Sequence, residues 1–184
     1  MKYFLIFICI IYSSIIYAKD KNISLTFSED TAKYWQYISD RTMGGVSDGQ
    51  AFLDQDGDLL FARLVGSVST DNNGGFIQLR SSLSFLNLNE DTKKLKGVRL
   101  HVRGNDEKYH IFIRTSIDRS YRDYFSTTFI ADDKWKTVDL PFDQFTHRYS
   151  NNILEGNDLR TFAIVAYGRD FISDISVAKI TFYY

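Results

Sequence analysis

Five residues, Gly45-Val46-Ser47-Asp48-Gly49, match the G-x-S-x-G spacing that can present a nucleophilic serine, and His147 follows downstream with several aspartates between. Such a serine needs a strained turn from a strand into a helix, where its hydroxyl stands clear of the backbone. Here the glycines run into Ala51-Phe52-Leu53, a strand pattern, and no α/β alternation surrounds them. Ser47 is therefore expected in a loop without a catalytic role. Asp54, Asp56 and Asp58 offer oxygen donors at alternate positions, a weak calcium candidate. Gly57 comes too early for a helix–loop–helix site and no matching distant glutamate follows, so a solvated hairpin turn is expected instead. His101, His110 and His147 lack metal-ligand spacing. No carboxylate pair for glycoside hydrolysis can be assigned, because most aspartates sit beside Gly or Asn in turn-like contexts. The chain is read as a non-enzyme without a cofactor.

Binding chemistry is more visible. In Val98–Arg103 the apolar Val98, Leu100 and Val102 alternate with Arg99, His101 and Arg103, and His110, Phe112 and Arg114 share one face of the next strand. Alternation of this kind packs one face on a core and leaves the other for solvent or a ligand. Gln78 and Arg80 end a third such run. If these strands are neighbours, Gln78, Arg80, His101, Arg103, His110 and Arg114 form one basic, partly aromatic surface. It would suit an acidic sugar, a carboxylate-bearing peptide or a partner loop. The plainer alternative is a solvated sheet face with ordinary charge pairs.

The elements that must position these residues are strands, expected at 23–27, 34–38, 51–54, 58–66, 75–80, 97–103, 109–115, 123–130, 136–140, 161–168 and 174–183. Asp56-Gly57 is expected to close a hairpin, and Gly104-Asn105-Asp106 to join the next pair. No apolar period of 3.6 persists over a helix length; only 88–95 and 152–159 are expected to form short helical turns. Many short strands around one core predict an all-β fold, a jelly-roll β-sandwich in a single domain over 24–183.

Aromatics make up 16% of the chain, which suits a pleated, half-buried surface. Residues 1–18 have the build of a secretory signal: Lys2, an apolar run from Tyr3 to Ile11, then Ala18 before Lys19-Asp20-Lys21. The protein is expected to be exported, periplasmic or secreted, with an uncleaved anchor as the alternative. The one cysteine, Cys9, lies inside that segment, which excludes disulfides and thiolate chemistry from the mature chain. Without residues 1–18, 21 basic residues face 23 acidic ones, a net charge of −2. Neither duplex nucleic acid nor an anionic membrane is then expected as a partner, since both call for basic excess.

Two glycine pairs carry a resemblance. Trp35 stands before Asp40-Arg41-Thr42-Met43-Gly44-Gly45-Val46-Ser47, and Asn73-Gly74-Gly75-Phe76 opens a strand ending in Arg80. Gly97–Gly104 with Tyr109, and then Trp135–Phe145, follow in order. Together these blocks resemble the complex I intermediate-associated protein 30 family over roughly residues 27–182. The resemblance implies a galactose-binding-like jelly roll without a catalytic set. In mitochondrial members it implies an assembly role for respiratory complex I. For an exported chain, the expected partner is a protein on the outward face of a membrane, held non-catalytically or in a chaperone-like way. This reading places a groove around the Asp40–Ser47 and Asp71–Phe76 loops. Its candidate binding residues are Trp35, Asp40, Arg41, Asn73, Gln78, Arg80, His101, Arg103, Tyr109, His110 and Arg114. The alternative is a carbohydrate-binding module, which requires exposed aromatic faces at Trp35, Tyr109, Tyr121 or Tyr124.

Overall fold

The computed structural model describes residues 22–86 and 88–184. The proposed signal and Cys9 lie outside them. Twelve strands form two antiparallel sheets packed face to face. The first sheet contains β1 (Ile23–Thr26), β3 (Asp48–Asp56), β4 (Leu59–Val68), β6 (Gly97–Arg103), β9 (Lys136–Pro141) and β12 (Phe171–Tyr183). Its order is β3-β4-β12-β6-β9, and β1 pairs with the second half of β12 on the side where β4 pairs with the first. The second sheet runs β10 (Thr146–His147), β8 (Phe125–Ala131), β7 (Glu107–Thr115), β11 (Leu159–Tyr167), β5 (Phe76–Ser82) and β2 (Trp35–Ser39). This is the jelly-roll sandwich that the strand pattern predicts.

Alternation sets the core. Val98, Leu100 and Val102 of β6 face Ile111 and Ile113 of β7, with Phe162 and Ile164 of β11 between the sheets, all fully buried. On β12 the inward residues are Ile175 and Val177, then Ile180 and Phe182. The switch from odd to even numbers is a β-bulge between Val177 and Lys179, since one extra residue moves every later side chain to the other face. Phe162 meets Phe182 edge to face, with ring centroids 6.0 Å apart.

The Asp56-Gly57 hairpin forms as expected, with Gly57 at φ 59°. Gly104-Asn105-Asp106 does not close a hairpin. It carries the chain from the first sheet to the second, so β6 and β7 lie in opposite layers. Tyr109 pins this corner from inside: its hydroxyl donates to Asn105 Oδ1 at 2.6 Å and accepts from the Asp174 amide at 2.9 Å. Residues 88–95 do turn, as a 3-10 helix at Glu90–Lys94 capped by Asn89. Residues 152–159 form no helical turn; they run irregularly, through a turn at Gly156-Asn157, into β11. Two small elements lack a sequence signal of their own: the one-turn helix α1 (Glu29–Ala32), capped by Ser28, and the two-residue β10.

Candidate binding groove

The outward face of the second sheet collects the polar side chains of its strands. Register places Gln36, Arg80, Ala163, Phe112 and Ser126 side by side across five strands, and Ile38, Gln78, Val165, His110 and Thr128 in the next row. At the centre of each row a short side chain stands between two longer ones: Ala163 between Arg80 and Phe112, and Val165 between Gln78 and His110. Ala163 and Val165 on β11 are buried beneath longer neighbours, although they point away from the inter-sheet core. Short side chains on β11 between longer ones on β5 and β7 make a trough. Loops from Thr42-Met43, Asn73-Gly74, Tyr121-Arg122 and Arg148 raise its walls, enclosing about 1030 Å³.

One carboxylate holds two of those loops together. Asp40 opens a short 3-10 turn after β2 and is fully buried. Its Oδ1 accepts the Ser47 amide at 3.0 Å, and its Oδ2 accepts the Ser47 hydroxyl at 2.5 Å and the Gly75 and Phe76 amides at 2.6 and 3.2 Å. Burial by itself would raise the Asp40 pKa, but these hydrogen bonds hold it below the ordinary carboxylate value. The glycines follow from this packing. A Cβ on Gly45 would lie 2.3 Å from the Asp40 carboxyl carbon, and one on Gly74 would lie 2.5 Å from Oδ2. The aspartate, the serine and both glycine pairs are thus one hydrogen-bonded unit.

Charge is distributed unequally between the sheets. The arginines on the first sheet are neutralised: Arg63 by Asp174 at 2.8 Å, Arg99 by Asp139 at 2.6 Å and Arg103 by Asp56 at 3.1 Å. Arg80, Arg114, Arg122 and Arg148 all line the trough, and among the described residues none has a carboxylate within salt-bridge distance. Among the described residues no lysine, aspartate or glutamate lines it. Burial, and then the charge of Arg80, lower the pKa of Arg114, whose guanidinium donates to the Tyr121 carbonyl.

The sequence profile of the family described as Complex I intermediate-associated protein 30 (CIA30) matches residues 24–168. This chain belongs to the CIA30 family. No curated protein matches it. Among solved structures it is similar to the family 11 carbohydrate-binding module of the cellulase Lic26A-Cel5E of Clostridium thermocellum. That likeness has a TM-score of 0.71 and 14% identity, over 90% of this chain and 96% of that one. A family 11 carbohydrate-binding module from Clostridium thermocellum in complex with a β-1,3-1,4-mixed-linked tetrasaccharide gives 0.68 at 13% identity, over 87% and 95%. A family 30 module of the cellulase Cel9D-Cel44B of the same organism gives 0.59 at 12% identity, over 80% and 90%. At such identities the likeness establishes the jelly-roll fold.

For this CIA30-family chain, the residues singled out above divide by sheet. Gln78, Arg80 and Arg114 meet in the trough with Asn73, and His110 stands beside Phe112 and Tyr167 on the same face. His101 and Arg103 do not join them. They lie on the outer face of the first sheet, where His101 and Arg103 both pack on Trp135. Alternation identifies a face but not which sheet carries it, and the β6–β7 corner separates the two. Trp35 leans on the core beside Phe27, Tyr109 is buried in the core, and Asp40 is the clamp described above. Arg41 pairs at the surface with Asp48. Of the expected aromatic platforms only Tyr121 is open, at 55% exposure, whereas Tyr124 is buried and stacked on Phe112 at 4.1 Å. The calcium reading of Asp54, Asp56 and Asp58 does not hold. Asp54 faces Arg63 and Asp56 faces Arg103, and among the described residues no three metal-binding side chains gather.

Ser47 is buried with its hydroxyl committed to Asp40, so the G-x-S-x-G spacing has a structural cause. His147 instead bridges Asp118 through Nε2 at 2.8 Å and Ser150 through Nδ1 at 2.8 Å. The Tyr149 amide also points at Nδ1, which assigns the ring proton to Nε2. The Ser150 hydroxyl meanwhile accepts the Asn152 amide, so this chain of contacts latches the β10 loop. Gln36, Tyr167, Arg122 and Arg148 are groove residues the sequence reading passed over, and Phe76 was named there only as the end of a groove loop. Phe76 shares the parity of Gln78 and Arg80 and was legible in principle. Arg122 and Arg148 come from loops, where no period marks them.

Burial of His110 near Lys108 and Arg169 pulls its pKa down to about 4. A histidine depressed in the folded state stays neutral there while the unfolded chain protonates from about pH 6.5 downward. Stability attributable to this group is therefore complete above pH 6.5 and is lost as the pH falls toward 4. Between pH 7 and pH 5 the loss is on the order of 1 kcal/mol, allowing for solvent screening of the partly exposed ring. Urea unfolding at the two pH values should show that difference in the wild type and a much smaller one in His110→Gln. Equal losses in both would exclude His110 as the cause.

Proposed function

We propose that this chain is a non-catalytic binding protein that holds a segment of a protein partner in the groove of its second sheet. The observation that carries this reading is the groove's composition. Arginine, methionine and aromatic side chains line it and lysine, aspartate and glutamate are missing, which matches the centre of protein–protein interfaces. Met43, at the end formed by the Asp40 clamp, is half exposed, and a flexible thioether there adapts to a partner's surface. Membership of the CIA30 family supports a role in protein assembly. The expected export places that role on the outward side of a membrane. Ser47, His147 and the aspartates near them serve structural contacts, which supports a role without catalysis.

Carbohydrate binding is the second reading, and one observation favours it: the chain shares its fold with modules named for carbohydrate, one of them solved with a tetrasaccharide. The stacking of Phe112 and Tyr124 on each other tells against it, because these faces are spent within the protein. In-cell crosslinking of the tagged chain, followed by mass spectrometry of native membranes, separates the readings. Enrichment of one defined complex, crosslinked to the groove loops, is the expected result. No enrichment over a signal-matched control, together with binding on a glycan array, would replace this reading with the second.

A further inference from the structure

Resting on the protein-partner reading, we infer that the groove selects an acidic polypeptide segment, one carrying a carboxylate that seats between Arg80 and Arg114. These residues flank β11: Arg80 stands opposite Ala163 and Arg114 opposite Thr161. Strands two apart are separated by roughly 10 Å, which two arginine arms span from either side. The short Ala163 beneath them leaves the space open. Two guanidinium groups turned into one hollow repel each other unless an anion lies between them; among the described residues no carboxylate lines the hollow or reaches salt-bridge distance of either, and Asp118 and Asp123 act on Arg114 only from further away. Their planar forks match a carboxylate in bidentate fashion.

The rest of the groove says what kind of molecule bears that carboxylate. Arg122 and Arg148 stand at the far wall and give a second point for negative charge. Met43 and Phe76 lie at the opposite end as an apolar contact. Alternating acidic and apolar side chains on an extended polypeptide would address both. A uronic-acid glycan would satisfy the arginines but leave the apolar end without a match, and among the described groove residues Tyr121, at the rim, is the one exposed aromatic. Net charge does not account for the arrangement, because the chain as a whole is slightly acidic.

The test uses the purified chain with three probes: a fluorescein-labelled peptide alternating glutamate with leucine, its glutamine-for-glutamate counterpart, and oligogalacturonate. Arg80 is the residue to change, since among the described residues its side chain makes no hydrogen bond or salt bridge that its removal would break. The glutamate peptide is expected to bind, weakening as salt rises, and the glutamine peptide is not. Arg80→Gln should weaken the acidic peptide about tenfold with an unchanged melting temperature, and Arg80→Gln/Arg114→Gln further still. Equal binding of the two peptides, or preference for oligogalacturonate, overturns the inference. Crosslinking with the same variants separates its failure from that of the wider reading. If wild type and Arg80→Gln/Arg114→Gln enrich the same complex equally, a protein partner stands and the arginine seat falls. If wild type enriches none, both fall.

Discussion

Replacing Asp40 with alanine is expected to lower the unfolding free energy by about 3–5 kcal/mol, and the melting temperature by on the order of 10 °C for a domain of this size. The carboxylate receives the Ser47, Gly75 and Phe76 amides and the Ser47 hydroxyl in a fully buried position. Its removal leaves three amides unpaired, each costing about 1–3 kcal/mol less whatever water recovers in the vacated space. The hydroxyl alone has a second acceptor within the fold, the Ser69 carbonyl at 3.2 Å. Asp40→Asn should be intermediate. Its oxygen can replace one carboxylate oxygen, but its NH2 then faces donors on the other side. Acid provides an independent check. The Asp40 pKa is depressed in the folded state, so its contribution is present above the unfolded value near pH 4 and disappears as the pH drops through the folded value. This window lies below that of His110, so the two are separable in one titration. Urea titration of the wild type and both variants measures the effect; a loss under about 1 kcal/mol for the alanine variant would show that the clamp is dispensable. The two glycine-pair loops it joins form one end of the groove, so their opening should also reduce partner capture.

Truncating Phe162 to alanine is expected to cost about 3–5 kcal/mol. Its ring is fully buried at the centre of β11, edge-on to Phe182 across the two sheets. The cost combines lost apolar burial with the cavity left behind, since strands paired on both sides cannot collapse into it. Phe162→Leu should lose less than half as much if the cavity is the larger contribution. Differential scanning calorimetry of the two variants decides this; equal losses would indicate that ring geometry matters more than volume. The groove connects to the same strand. Ala163 and Val165 form its floor on the reverse face, so a displaced β11 moves the floor with it.

Much of this was legible along the chain. Runs such as Phe162-Ala163-Ile164-Val165-Ala166 mark a strand covered on both faces, and the structure places it centrally, with core on one side and groove floor on the other. Glycine pairs beside Asp40 and Asn73 permit close backbone approach, and the structure gives its cause as one shared carboxylate. Grouping His101 and Arg103 with the groove residues has one source. The Gly104–Asp106 corner has the composition of a hairpin turn, and nothing local distinguishes a strand that folds back from one that crosses to the other sheet.

Local patterns determined the strands, the sandwich and the inward and outward faces, because side-chain alternation depends only on the pleat. Which outward faces share a sheet was decided by tertiary structure alone, through pairings between residues as distant as Arg80 and Ala163. That assembly placed Arg80 with Arg114 and gave His101 and Arg103 to the opposite side. It also paired the arginines of the first sheet with carboxylates and left those of the second facing an open groove. Charge pairing across strands depends on register and layer, and neither is written into any short stretch of the chain.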